Sequence, residues 1–263
     1  MSAYKPMKAV DMTHRLDEIE FPVYASRKWD GVRAFCTADG KSILSSSGAL
    51  FPQHELQMKA GKSNTIGSLT PGMEYEVLHN DGPSVHAATI NGILKREWLS
   101  EDFFDLMWWP ILKYGEDACP NPHNIMCHTI EELDTYLMAA VSEGWEGLML
   151  RGGDFTYKHG GATDKCQRLM KIKFRSELRG TLIDWEKNNV AGKGYIVTRM
   201  LFHVNTGPFK GEDIWVGSGL TDEMRTLVAT GKKTGHGAEI EYQRVGNDKL
   251  PRQPVFKRWL GDD

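Results

Sequence analysis

Hydrophobic positions along the chain fall mostly into short apolar or alternating runs bounded by turn residues, the pattern of strands, with helical segments between some of them. Phe21-Pro22-Val23-Tyr24-Ala25 is apolar and aromatic, ends in the polar pair Ser26-Arg27, and reads as a strand that delivers Lys28 into a cleft. Asp30-Gly31 then turns the backbone, and alternation resumes over 33–37. Lys28 and Arg33 therefore flank one corner where a single anion could reach both. An ordinary surface hairpin carrying a lysine and an arginine fits the same residues. In Met73-Glu74-Tyr75-Glu76-Val77-Leu78 a period of two puts Glu74 and Glu76 on one face and Met73, Tyr75 and Val77 on the other. Two carboxylates on one face suit a divalent cation or ribose hydroxyls, and an edge strand with a wet face is the plainer alternative.

Residues 129–142 form an amphipathic helix opened by Thr129-Ile130-Glu131-Glu132, a capping-box sequence. Glu146-Gly147-Leu148-Met149-Leu150-Arg151 follows, an acid and a glycine at the mouth of a continuously apolar run that reads as a strand buried on both faces. An acid there is placed for Mg²⁺, although a simple helix-to-strand connection through Glu143-Gly144 reads equally well. Leu169-Met170-Lys171-Ile172-Lys173-Phe174 puts both lysines on one strand face. If that face meets Lys28, three ammonium groups lie together and their repulsion lowers a lysine pKa, the condition an amine nucleophile requires. Beyond residue 179 come five candidate strands at 180–186, 195–204, 213–217, 238–245 and 254–259, with Thr221-Asp222-Glu223-Met224 opening a helix between the third and fourth. That is the order of an OB-fold, a partly open barrel that commonly binds nucleic acid. The change of pattern sets a boundary between Phe174 and Leu178.

Composition leaves this picture in place and narrows it. With 263 residues, 40% hydrophobic and 25% charged, the chain suffices for one large domain or two smaller ones. The N-terminus lacks the apolar core of a signal peptide, and no run reaches the ~18 apolar residues needed to cross a bilayer, so a cytoplasmic protein without membrane contact is expected. Cys36, Cys119, Cys127 and Cys166 form no CxxC pair and read as reduced thiols. Cys119, His123, Cys127 and His128 have the residue types of a zinc site but match no zinc spacing. The net charge of −3 argues against nucleic-acid binding over the whole surface. Nine Lys or Arg against four acids between Lys158 and Lys193 nonetheless allow a local basic band.

Lys28, Asp30, Gly31 and Arg33 complete the pattern KxDGxR, and in this order Glu76, Glu146-Gly147 and the Lys171/Lys173 pair follow at plausible separations. The set resembles the covalent nucleotidyltransferases, the superfamily of ATP-dependent DNA ligases, RNA ligases and mRNA capping enzymes. Lys5-Pro6-Met7 and the run Phe21-Pro22-Val23 are similar to the opening of small bacteriophage-type DNA ligases, so the resemblance covers nearly the whole chain.

The resemblance implies an α+β chain: an ATP-grasp-like nucleotidyltransferase domain of antiparallel sheets with helices over 1–176, then an OB-fold β-barrel over 177–263. It implies ATP and Mg²⁺ (or Mn²⁺) as cofactors and nicked double-stranded DNA as the partner of a monomer. Lys28 is then the nucleophile and Glu146 the metal ligand, with Glu76 near the ribose or the metal. Lys171 and Lys173 contact the α-phosphate, Arg33 lies near the ribose and the nick, and Phe104 is the candidate ring that stacks on adenine, a core aromatic beside Trp108 and Trp109 being the plainer reading of it. Arg151 and Lys165 are further phosphate-binding candidates. An RNA ligase or capping-type enzyme shares the lysine chemistry, and a non-catalytic OB-containing binder does without it.

The chain departs from the family in three places. Ser26 stands where an acid usually precedes the nucleophile, which leaves adenine to backbone groups near Arg27. Ser45-Ser46-Ser47-Gly48 lacks an expected arginine, and the C-terminus lacks an expected lysine, with Lys257 or Arg258 as substitutes.

Overall fold

A computed structural model of the chain describes residues 4–51, 69–79, 87–96, 102, 106–113, 124–152, 155–160, 167–243 and 250–261. Two compact units, 1–174 and 175–263, divide it. The first runs through β1 (Val10–Asp11), β2 (Val23–Arg27), β3 (Val32–Cys36), β4 (Ile43–Ser45), β5 (Met73–His79), α1 (Ala87–Leu94), β6 (Leu106–Lys113), β7 (Ile125–Cys127), α2 (Ile130–Ser142), β8 (Gly147–Gly152) and β9 (Leu169–Lys173). These build one sheet of order β1-β9-β8-β2-β7 and another of order β4-β3-β5-β6.

In the first sheet, β8 is paired antiparallel on both sides, with β2 and with β9. Leu148 and Leu150 are fully buried on one face with Val23, Ala25, Met170 and Ile172, where Leu133, Leu137 and Ala140 of α2 cover them. Each of the Leu, Ile, Val and Met side chains withdrawn from water contributes about 1.5–3 kcal/mol. The sequence predicts burial of β8 on both faces, but only this face is packed core. The other carries Met149 and Arg151 to a cavity.

Helix α2 starts at Thr129, whose hydroxyl accepts from the Glu132 amide at 3.3 Å. The Glu132 carboxylate reaches back to the His128 amide at 2.7 Å, one residue earlier than the capping box predicts.

In the second sheet, β5 lies between β3 and β6, so it is not an edge. Tyr75 and Val77 enter the core with Ile90, Leu94 and Trp108. The opposite face, with Glu74, is not wet either, because Glu74 is fully buried.

The second unit runs through β10 (Ser176–Val190), β11 (Gly194–Val204), β12 (Asp213–Val216), α3 (Asp222–Ala229), β13 (Gly237–Tyr242) and β14 (Val255–Trp259), in sheet order β12-β11-β10-β13-β14. An isolated parallel bridge links Ser218, two residues after β12, to Val255 of β14, and the Phe256 amide donates to the Ser218 carbonyl at 3.0 Å. Its core holds Leu182, Met200, Phe202, Ile240 and Phe256, closed by Val228 of α3. Among the described residues no helix is long and apolar enough to cross a membrane.

Candidate functional site

Lys28 follows directly on β2, and its amide donates to the Gly147 carbonyl at 2.8 Å, which fixes the lysine beside the start of β8. Gly147 has φ 149°, and a Cβ there would lie 2.0 Å from the Ile172 carbonyl oxygen, so only glycine lets β8 and β9 approach at this point. Gly31 is required for a related reason. Its Cβ would meet the Val77 carbonyl at 2.5 Å and Glu76 Cγ at 2.8 Å. The glycine read from the sequence as a turn residue is thus a point of close contact with β5, and it draws Glu76 toward Lys28.

The Lys28 ammonium donates to Glu146 Oε2, and Lys173 Nζ lies 2.8 Å from Glu146 Oε1. The sequence places three ammonium groups together if the Lys171/Lys173 face meets Lys28. Instead, one carboxylate, 4% exposed, bridges two of them. Burial by itself would raise the Glu146 carboxyl; Lys28 and Lys173 overcome it and hold the group below its ordinary range. Lys171 turns to Asp11, 3.8 Å away. Burial and the ammonium groups of Lys173 and Lys28 pull Lys171 down, against Asp11, so like-charge crowding acts on this lysine. Asp11 reaches it because β1 runs parallel to β9 with Asp11 opposite Lys171.

A cavity of about 350 Å³ opens beside Lys28, lined also by Ser26, Arg27, Trp29, Arg33, Glu76, Trp109, Ile111, Tyr136, Trp145, Met149, Arg151 and Leu169. Its lining combines aromatic and aliphatic side chains with charged ones. Arg27 pairs with Glu143 at 2.5 Å and lies 5.5 Å over the Trp145 ring, and Trp145 meets Trp29 edge to face at 4.3 Å. The Ser26 hydroxyl makes only a long contact, 3.5 Å, to the Met149 carbonyl. Arg33 donates to Glu74 and, at 2.7 Å, to the Met7 carbonyl.

Phe104 and Lys165, predicted to stack on a base and to bind phosphate, lie outside the described residues. So do Cys119 and His123 of the four-residue set weighed for zinc. In the second unit Lys257 pairs with Glu241 at 2.7 Å and Arg258 with Glu239 at 3.2 Å.

Trp29, Trp109, Tyr136 and Trp145 were not expected in the lining. One signal was available for Trp109. In a strand covering Leu106–Lys113, successive residues point to opposite faces, so of two adjacent tryptophans one must leave the core. Trp108 is 3% exposed in the core and Trp109 faces the cavity.

Burial pushes the Glu76 carboxyl from the usual 4.5 up to about 7, against the pull of Lys28 and Arg33, with Glu146 and Asp30 adding to the rise. Between these two values the folded chain holds a proton that the unfolded chain has lost. The stability of the metal-free protein therefore falls as pH rises through that window. Thermal unfolding in a chelator at pH 5 and pH 8 should show Glu76→Gln losing less stability than the parent across this interval. Equal losses would put the Glu76 carboxyl back at its ordinary value.

No family model matches the sequence, and no curated protein matches it. Solved structures do. A Lig E DNA ligase, described as binding DNA with a minimal scaffold, is 17% identical, with 97% of this chain and 98% of that one covered at a TM-score of 0.72. The DNA ligase-adenylate of Chlorella virus is also 17% identical, with 100% of both chains covered at 0.53. The chain shares the nucleotidyltransferase-type fold of these ligases, mixed sheets with few helices.

Proposed function

We propose that this chain is an ATP-dependent ligase that seals 3′-hydroxyl/5′-phosphate nicks in duplex DNA through a lysine-AMP intermediate. The observation that carries the reading is the Lys28 amine at a cavity with aromatic walls, held by a carboxylate that it shares with Lys173. The shape and chemistry suit a purine nucleotide, whose base needs flat apolar walls and whose phosphates need cations at one end. Trp29, Trp109, Tyr136 and Trp145 supply candidate rings for the base, with Ser26 and the backbone near Arg27 beside it.

In the first step Lys28 Nζ attacks the α-phosphorus of ATP, a P–N bond forms, and the bond to pyrophosphate breaks. AMP next passes to the 5′-phosphate at the nick and Lys28 regains its amine. The 3′-hydroxyl then attacks that phosphate, and AMP leaves as the phosphodiester forms. Lys171 and Lys173 offset charge on the α-phosphate, which grows as the pentavalent state is approached. Arg33 serves the ribose and the nick.

The donor set fits Mg²⁺ or Mn²⁺. Glu76 and Glu146 offer hard oxygens, and no group of three or more His, Cys, Asp or Glu side chains gathers among the described residues. One or two carboxylates suit an ion that completes its shell with water and phosphate oxygens, and such an ion supplies charge neutralisation on the phosphates.

The second unit, in this reading an OB-fold over 177–263, binds the duplex. Its support is the strand order, the helix after the third strand, and the isolated Ser218–Val255 bridge from the segment after β12 to β14. The protein acts as a monomer in the cytoplasm.

Nicked DNA, nicked RNA and hybrid nicks offered in parallel with ATP and Mg²⁺ test the substrate. Sealing of the DNA nick is expected. Self-labelling by ATP with sealing of RNA alone would make the chain an RNA ligase, and labelling by GTP with no sealing would make it a capping-type enzyme.

A further inference from the structure

Strand β1 joins the first sheet only through β9, with Val10 opposite Met170 and Asp11 opposite Lys171. The chain stays beside β9 after the strand ends. The Met12 amide donates to the Lys171 carbonyl at 2.9 Å, and the Lys173 amide donates to the Thr13 hydroxyl at 3.0 Å. Asp11-Met12-Thr13 therefore touches β9 at both of its lysine positions.

Within that tripeptide the Asp11 carboxylate is held in one orientation. Its Oδ1 accepts from the Thr13 hydroxyl at 2.6 Å and from the Thr13 amide at 3.1 Å, an Asx turn, which leaves Oδ2 toward Lys171 Nζ, 3.8 Å away. Burial alone would raise the Asp11 carboxyl. The two Thr13 contacts, then the ammonium groups of Lys171 and Lys173, outweigh it and hold the group below its ordinary range.

Lys171 needs such a partner because of where it stands. It lies opposite Met149 of β8 and shares a strand face with Leu169, two residues that line the cavity. The charged groups acting on it are Asp11, Lys173, Lys28 and Glu146, and Glu146 is already taken by Lys28 and Lys173. Among the described residues Asp11 is the one carboxylate within ion-pair distance of Lys171. Without it, two ammonium groups would press on a third that has no counter-charge of its own.

We propose that Asp11, oriented by Thr13, is a positioning residue: it holds the Lys171 ammonium on the cavity face of β9 and leaves Glu146 to Lys28 and Lys173. Its part in nucleotidyl transfer rests on the ligase reading; the hold on Lys171 does not.

Asp11→Asn isolates the charge. An asparagine oxygen still accepts from the Thr13 hydroxyl and amide, so the turn is kept. Limited acetylation of the full chain with acetic anhydride, quantified peptide by peptide by mass spectrometry, reads each amine without turnover. Lys171 should react about fivefold faster in the variant, the effect of removing a counter-charge at such a distance in an aqueous dielectric. The exposed Lys8 and Lys41 should not change.

Self-labelling by ATP and Mg²⁺ reads the consequence. Asp11→Asn should slow labelling at saturating ATP about tenfold, the effect of one charge-assisted contact, and leave KM for ATP within about twofold of the parent. In a Lys171→Met background the same substitution should cost nothing further. Equal losses in both backgrounds would make Asp11 merely structural and overturn the proposal. Unchanged Lys171 acetylation overturns it as well, and so does faster acetylation with labelling unaffected. If the parent fails to label at all while Lys171 acetylation still depends on Asp11, the ligase reading falls and the hold on Lys171 stands.

Discussion

Lys28→Ala should reduce transfer of label from α-labelled ATP to the protein by at least about 10³-fold, the order of loss when a covalent nucleophile is deleted. Lys28→Arg should fail as completely. The two substitutions separate two roles the lysine could have. If its positive charge were what mattered, arginine would restore much of the labelling. A guanidinium keeps its proton at any pH that the protein survives and has no lone pair to offer phosphorus. The fold should survive both changes. Glu146 keeps Lys173 at 2.8 Å when Lys28 is gone, so no buried carboxylate is stranded. Far-UV circular dichroism and the melting temperature provide that control. Labelling of the alanine variant at the parent level would end the lysine-AMP proposal, and the chain would then read as a nucleic-acid binder.

What could be read from the sequence is what the chemistry or the local period confines to neighbouring residues. Lys28 to Arg33 is contiguous because strand end, glycine contact and cation must all lie within one corner. The strands of the second unit were legible for a different reason, since turn residues separate five runs of which β12 alternates strictly and the first half of β10 nearly so. Glu146 was singled out as an acid before a glycine at the mouth of an apolar run, and it lies against Lys28 and Lys173.

The relations that escaped join distant segments. Nothing in Met73–His79 announces that Glu74 will be covered by Tyr4 and Tyr157, which are 70 and 83 residues away. The Asp11–Lys171 pair depends on a two-residue strand, too short to show a period. The aromatic wall is drawn from several elements, and each of its tryptophans alone looks like core. Pairwise geometry also reversed one expectation. Lysines on a common face need not confront one another when a carboxylate of the adjacent strand end lies between them.

Glu74→Gln should destabilise the fold by about 3–5 kcal/mol, the range for removing one member of a buried ion pair. Glu74 is fully buried and its Oε2 pairs with Arg33, whose side chain is itself 20% exposed. Its Oε1 accepts from Tyr4 at 2.7 Å and from Tyr157 at 3.2 Å. Burial first, and then the Glu74 charge, push both tyrosine hydroxyls above their ordinary range, so they remain donors throughout the working pH range. A neutral amide would keep the volume but lose the charge that three donors share, and its NH₂ would confront at least one of them. The Met7 carbonyl, which accepts from Arg33 at 2.7 Å, cannot by itself balance a guanidinium. Urea denaturation of Glu74→Gln, Arg33→Met and the double variant measures the coupling. The double variant should lie closer to the parent than Glu74→Gln does, because it strands no charge. A loss under about 0.5 kcal/mol for Glu74→Gln, the range of ordinary surface substitutions, would mean that water reaches Arg33. The same ion pair then could not be what holds the guanidinium at the cavity wall, and the rigidity of the Arg33 corner would have to come from the Met7 carbonyl and the strand pairing alone.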